Sequence, residues 1–204
     1  TTYSVNELDG DRIIMREVER AELQTYPNVA PNSDARMNAT FIAIEPNGES
    51  VVRYLAGVRD RGAGSRYSQP ANYRINLPSD RPWGGLTAIN LNINYIHSQY
   101  AGYTLASLAG LNTEAARILQ VRVNNVNRAT SQTRNFGSYI QLESTDGDYA
   151  ANHFPDDPAG NVYRGSTGSH SATLDYLGTG FARYANAGYF KQNNGAANDW
   201  SDLV

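Results

Sequence analysis

The chain has no cysteine. Disulfides, thiolate catalysis and cysteine-held metal clusters are therefore excluded. Lysine is almost as scarce: Lys191 is the only one, so the basic side of the sequence is nearly all arginine. No apolar run approaches the ~18 residues of a membrane helix. The opening TTYSVNELDG lacks the basic start and apolar core of a signal peptide. It also lacks an initiator methionine, so Thr1 reads as a processed boundary. The net charge of -3 argues against nucleic acid as a main partner, because that binding is mostly phosphate neutralisation by Lys and Arg. The three histidines, His97, His153 and His170, lack the spacing of a zinc helix. No G-x-S-x-G elbow is present, and Gly178-Thr179-Gly180 has neither the following glycine of a dinucleotide loop nor a Walker lysine.

What is present is a chain of 204 residues, 40% hydrophobic and 18% charged. That length suits one domain, or one domain with an arm, and can bury a sizeable core. Asn, Ser, Thr, Gln and Tyr fill the surface that charge leaves open. This polar, lysine-poor composition points to an extracellular or cell-surface protein.

Taken in order, residues 1–11 read as an arm or a leading strand, and 12–24 as a helix that stops before Pro27. Residues 25–36 are loop. Residues 38–45 form a strand, Pro46-Asn47-Gly48 a turn, and 51–59 a return strand with Val52, Tyr54, Ala56 and Val58 on one face. Residues 73–77 and 86–91 are strands. A helix over 94–109, capped by Asn94, would bury Tyr100, Thr104, Leu105 and Leu108 and end at Gly110-Leu111. Strands at 118–123 and 137–143 follow, the second placing Glu143 on a face with Tyr139 and Gln141. A short helix starts at Asp146. Residues 165–187 read as loop. Asp199 reads as the N-cap of a final helix whose apolar face, Trp200, Leu203 and Val204, calls for more protein to cover it. The acids Asp146, Asp148, Asp156 and Asp157 lack EF-hand spacing and read as a solvated loop rather than a calcium site.

The richest stretch is 58–77, VRDRGAGSRYSQPANYRINL. It gathers Arg59, Arg61, Arg66 and Arg74 around a turn built from Gly62, Gly64 and Ser65. Glycines there permit a backbone nest of N–H groups, and arginines supply forked donors for an oxyanion. Strand alternation places Arg59, Arg61 and Arg74 on one face. The alternative is a tight turn whose arginines pair with acids such as Glu45 or Glu143.

The same stretch resembles the CotH family of atypical secreted kinases, through Arg59, Arg61, Gly62, Ser65, Arg66, Pro70, Tyr73 and Arg74. The likeness continues through WGGLTAINLN, VRVNNV, GSYIQLE, HFPDDPAGNVYR and DWSDL, so it spans most of the chain from Asn38 onward. It implies an α+β fold: a mixed, mainly antiparallel sheet with two or three helices, arranged like the front of a kinase-like domain. It divides the chain into an N-terminal arm and helix, 1–37, and a CotH-like domain, 38–204, incomplete at its C-terminal end. It implies ATP with Mg or Mn as cofactors, phosphorylation of Ser or Thr in secreted or coat proteins, and a phosphate or nucleotide site at Arg59, Arg61, Gly62, Gly64, Ser65, Arg66, Arg74 and Glu143. Two departures stand against catalysis. The family's lysine pair is Ala71 and Asn72 here, and the family's acidic segment lies beyond Val204. The chain is therefore expected not to transfer phosphate by itself, with an oligomer or a further domain covering its C-terminal end. The alternative is a non-catalytic extracellular module, structural or adhesive.

Overall fold

The computed structural model describes residues 10–30, 33–62, 64–67, 69–129, 137–166, 172–197 and 199–203. These residues form two compact units that part between Ser144 and Thr145. The first contains β1 (Gly10–Ile14), α1 (Glu17–Val29), β2 (Met37–Ile44), β3 (Ser50–Asp60), a 3-10 turn (Gly64–Tyr67), β4 (Tyr73–Asn76), β5 (Ala88–Asn92), α2 (Ile96–Leu108), β6 (Ala116–Val123), β7 (Val126–Asn127) and β8 (Tyr139–Glu143). The second contains α3 (Gly147–His153), β9 (Tyr163–Gly165), α4 (Phe181–Asn186) and β10 (Tyr189–Lys191).

The strands of the first unit run β1-β2-β3-β4-β5-β8-β6, and β6 pairs back to β1, so seven strands close into a barrel. β7 only extends β6 as a hairpin across Asn124 and Asn125, both at positive φ. This overturns the expected α+β, kinase-like fold built on a mixed, mainly antiparallel sheet: the sheet closes on itself. The cause lies in the stretch read as arm and helix. Asp11 and Ile13 alternate with Arg12 and Ile14, and β1 lies antiparallel to β2 (Ile13↔Phe41) and parallel to β6 (Ile13↔Val123). Closure leaves no ladder edge among these seven strands, which would otherwise present unpaired backbone groups.

Alternation then sorts the side chains. Ile13, Phe41, Val58, Ile75, Ile89, Leu91, Val121 and Tyr139 point inward and are fully or almost fully buried. A second, smaller cluster lies outside the barrel, where Ile96 of α2 covers Ile140 and Leu142. At ~25 cal/mol per Å² of apolar surface, burying each such side chain contributes on the order of 2 kcal/mol before entropy.

Three local expectations fail. α1 begins at Glu17 and runs through Pro27 to Val29; Pro27 is buried in the last turn, where its missing N–H forfeits one hydrogen bond. In β3, Leu55 takes φ 59° and the register to β2 shifts between Ala39 and Phe41. That bulge leaves Val52 and Tyr54 exposed while Ala56 and Val58 go inside. α2 starts at Ile96 after Tyr95, not at an Asn94 cap, and buries Ile96; Tyr100, Thr104, Leu105 and Leu108 face outward. With no charge and apolar residues on several sides, its spacing could not select a face. Its end does follow the expected Schellman pattern, with Leu111 N donating to Ala106 O (3.1 Å) and Gly110 N to Ser107 O (2.9 Å).

In the second unit, Asp146 caps α3 by accepting from Asp148 N (3.1 Å). α4 falls in residues read as loop. Its Tyr184 hydroxyl accepts from Leu177 N (3.1 Å), and Tyr189 accepts from Leu174 N (2.8 Å). Residues 201–203 form a turn rather than a helix. Trp200 packs against Tyr163 and Phe181, with ring centroids 5.2 and 6.2 Å away. Val204 lies outside the described residues.

Candidate functional site

β3 and β4 pair so that Arg59 lies directly across from Arg74, both on the outer face of the barrel. Arg61 follows β3, its N–H donating to Asn72 O (2.9 Å) and its guanidinium to Asn92 Oδ1. Asn92 donates in turn to Gln99 of α2 (2.9 Å). Arg66 leaves the 3-10 turn and donates to Ser33 O (3.0 Å). Arg74 reaches across β5 to Ser144 Oγ (2.7 Å). The four arginines expected at the site are thus gathered on one side of the sheet.

Two further residues join them that the sequence reading passed over. Asp34 Oδ1 meets Arg59 Nη1 at 3.2 Å and Arg66 Nη2 at 3.6 Å. The alkyl chain of Arg36 lies over Gly57. Both come from a stretch read as polar loop, where spacing carries no information about a strand 20 residues away.

Arg59 is the electrostatic focus. Its Nε is buried without a hydrogen-bond partner. Burial pushes its pKa below the ordinary arginine value; Asp34 opposes this, and Arg74, Arg66 and Arg36 add to it by repulsion. The carboxylate that meets it is largely in water, at 69% exposure, where an ion pair is screened and contributes ~1 kcal/mol or less.

The turn itself is built around Gly62. It takes φ +107°, and a Cβ there would fall on the Ser65 hydroxyl. That hydroxyl accepts from Asn72 Nδ2 (3.0 Å), while Asn72 Oδ1 accepts from Ile93 N (2.8 Å). Asn72 is 7% exposed and Ala71 2%. The positions where the family carries lysines are therefore interior here, and Asn72 pins the turn to the end of β5. Gly64 opens the 3-10 turn, and Ala63 lies outside the described residues.

Glu143 does not join this group. It points into the barrel with Gln141 and Tyr139, in register with Ile89, and its Oε2 accepts from Ala115 N (3.3 Å). Glu45, the other acid considered for the arginines, binds Arg117 at 3.0 Å. Asp34 takes the role expected of them.

A divalent metal does not fit the arginine face. Asp34, the carboxylate that meets Arg59, is already shared with Arg66, and hard cations need several oxygen ligands. Among the described residues no group of three or more His, Cys, Asp or Glu could hold a metal ion. Of the histidines, His153 stacks on Tyr149 at 4.5 Å, and His170 lies outside the described residues. No helix of the described residues is long and apolar enough to cross a membrane.

Fold and site together define a closed β-barrel domain with an arginine-rich outer face beside a glycine turn. The family model described as CotH kinase protein matches residues 58–204, from within β3 onward, and the chain belongs to that family. No curated protein matches it.

Proposed function

We propose that the arginine face binds the phosphate groups of a nucleotide such as ATP. The observation that carries this reading is Arg59: a partly buried guanidinium, crowded by Arg36, Arg66 and Arg74, and offset by one well-solvated carboxylate. An oxyanion would relieve that repulsion and accept from several guanidinium forks at once. Gly62 and Ser65 shape the adjoining turn and hold Arg61 and Arg66 on either side of it. Mg or Mn would have to arrive with the nucleotide and be held by groups other than these. Phosphoryl transfer also needs a base for the acceptor hydroxyl, whereas Asp34, the carboxylate that meets Arg59, is committed to two guanidiniums. The parent activity suggested by family membership is phosphorylation of Ser or Thr in secreted or coat proteins, at the cell surface or outside it. The lysine-poor surface supports that location.

A second reading, a non-catalytic extracellular structural or adhesive module, is favoured by one observation: Asn72 replaces a family lysine and is committed to Ser65 and Ile93. Calorimetric titration with ATP and adenosine separates the two. The proposal expects ATP to bind and adenosine to bind far more weakly. It also expects the Arg61→Ala, Arg74→Ala protein to lose ATP affinity by about tenfold or more, since each charge-assisted bond contributes ~1.5–3 kcal/mol. Equal affinity in the folded double variant refutes it and leaves the module.

A further inference from the structure

The inner side of the barrel carries a separate feature. At the end opposite Asp60 and Tyr73, the interior opens into a cavity of about 350 Å³. Small-molecule sites typically span ~300–1,000 Å³, are mostly apolar with a few placed polar groups, and often occupy barrel mouths. Trp83, Leu86 and Ala115 form its apolar wall. Gln141 and Glu143, 6% and 4% exposed, supply its floor, and Glu45 stands at the rim.

The polar groups restrict what could enter. Gln141 Oε1 accepts from Arg117 Nε, but the Gln141 amide nitrogen has no hydrogen-bond partner among the described residues. Gln141 lines the cavity, so this donor can meet a ligand there. Glu45 meets Arg117 through one oxygen only, leaving the other as an acceptor. An anion is disfavoured, because Glu45 and Glu143 outnumber Arg117 in the lining, and Arg117 is already engaged by Glu45 and by Asp11 at 3.4 Å. A cation is disfavoured for a different reason. Arg117 already lies over the Trp83 ring, 5.0 Å from its centroid, where an organic cation would sit. What remains is a neutral ligand with an apolar face for the wall and hydroxyls that both donate to carboxylate and accept from amide.

We infer that the barrel mouth bounded by Trp83, Glu45, Gln141 and Glu143 is a binding site for a neutral, hydroxyl-rich ring: a sugar. The site is independent of the arginine face, since its side chains point to the opposite side of the sheet.

Trp83 and Trp200 are the only tryptophans, so the Trp200→Phe protein reports on Trp83 alone. Its emission would be titrated with glucose, galactose, mannose and N-acetylglucosamine, and with choline as the cationic comparator. A saturable change with at least one sugar is expected, with a dissociation constant on the order of millimolar. Ala115→Phe on the exposed rim should weaken it about tenfold or more by filling the mouth. Gln141→Glu, which keeps an acceptor for Arg117 but removes the donor, should do the same. No saturable response to any of the four sugars overturns the inference. So does saturation by choline alone, or a sugar response that neither variant changes.

Discussion

Asp60 offers the sharpest test of the fold. It ends β3 pointing into the barrel beside Tyr73 and Leu23, is 6% exposed, and neither carboxylate oxygen has a hydrogen-bond partner. Burial raises its pKa from 3.8 to about 7, with Arg66 opposing only in part. The unfolded chain would release the proton near the ordinary value. The native state therefore holds more protons between these limits, and stability is full below the unfolded pKa and falls as pH rises through the folded one. The rise from 3.8 to about 7 corresponds to roughly 4 kcal/mol at most. The adjoining cavity of about 30 Å³ can admit a water, which would reduce this toward ~2 kcal/mol. Asp60→Asn removes the titration and keeps the shape. Its unpaired amide should cost ~1–3 kcal/mol at low pH, where native Asp60 is neutral. Urea melts across about pH 4 to 8 should then show the variant gaining ~2–4 kcal/mol relative to the native chain. Asp11, raised to about 7 by its own burial, contributes to both proteins and cancels in the difference. Parallel stability curves for the two proteins would refute the placement of Asp60.

Gly62→Ala should destabilise the chain by ~1–3 kcal/mol in urea, because both the φ of +107° and the Ser65 hydroxyl oppose a Cβ. Gly48→Ala, at φ +83° in open space, should cost only ~1 kcal/mol. Asn72→Lys, which restores the family residue, should cost ~2–4 kcal/mol by breaking the Ser65 and Ile93 bonds and burying an amine, and should not improve ATP affinity. Leu108→Lys on the outer face of α2 should change stability by no more than ~0.5 kcal/mol, while Ile96→Ala should cost ~2–4 kcal/mol. The reverse order would restore the face first expected from the sequence.

Much of this was legible before the structure. Period-two alternation set Glu143 with Gln141 and Tyr139, and put Arg59 and Arg74 on a common face. Glycine chemistry marked the turns at Gly48 and Gly110. What alternation cannot show is which distant strands meet. Closure depends on β1 lying between β2 and β6, the latter pairing across more than 100 residues, so the kinase-like α+β arrangement stood unchallenged in the sequence. The same limit hid Asp34 and Arg36, and it separated Glu143 from the arginines: alternation gave its face, but not that this face is the inside of a barrel. α2 failed for a different reason, since an uncharged helix carries apolar residues on too many sides.

The most direct measurement of the central claim is the response of arginine side-chain Nε–Hε resonances to ATP. Signals of Arg59, Arg61, Arg66 and Arg74 should shift together along one saturating isotherm, weaken with added salt, and be reproduced by inorganic triphosphate. Arg117, on the inner side of the barrel, should stay fixed. Saturable shifts centred on Arg117, or none at the four outer arginines, would contradict the account.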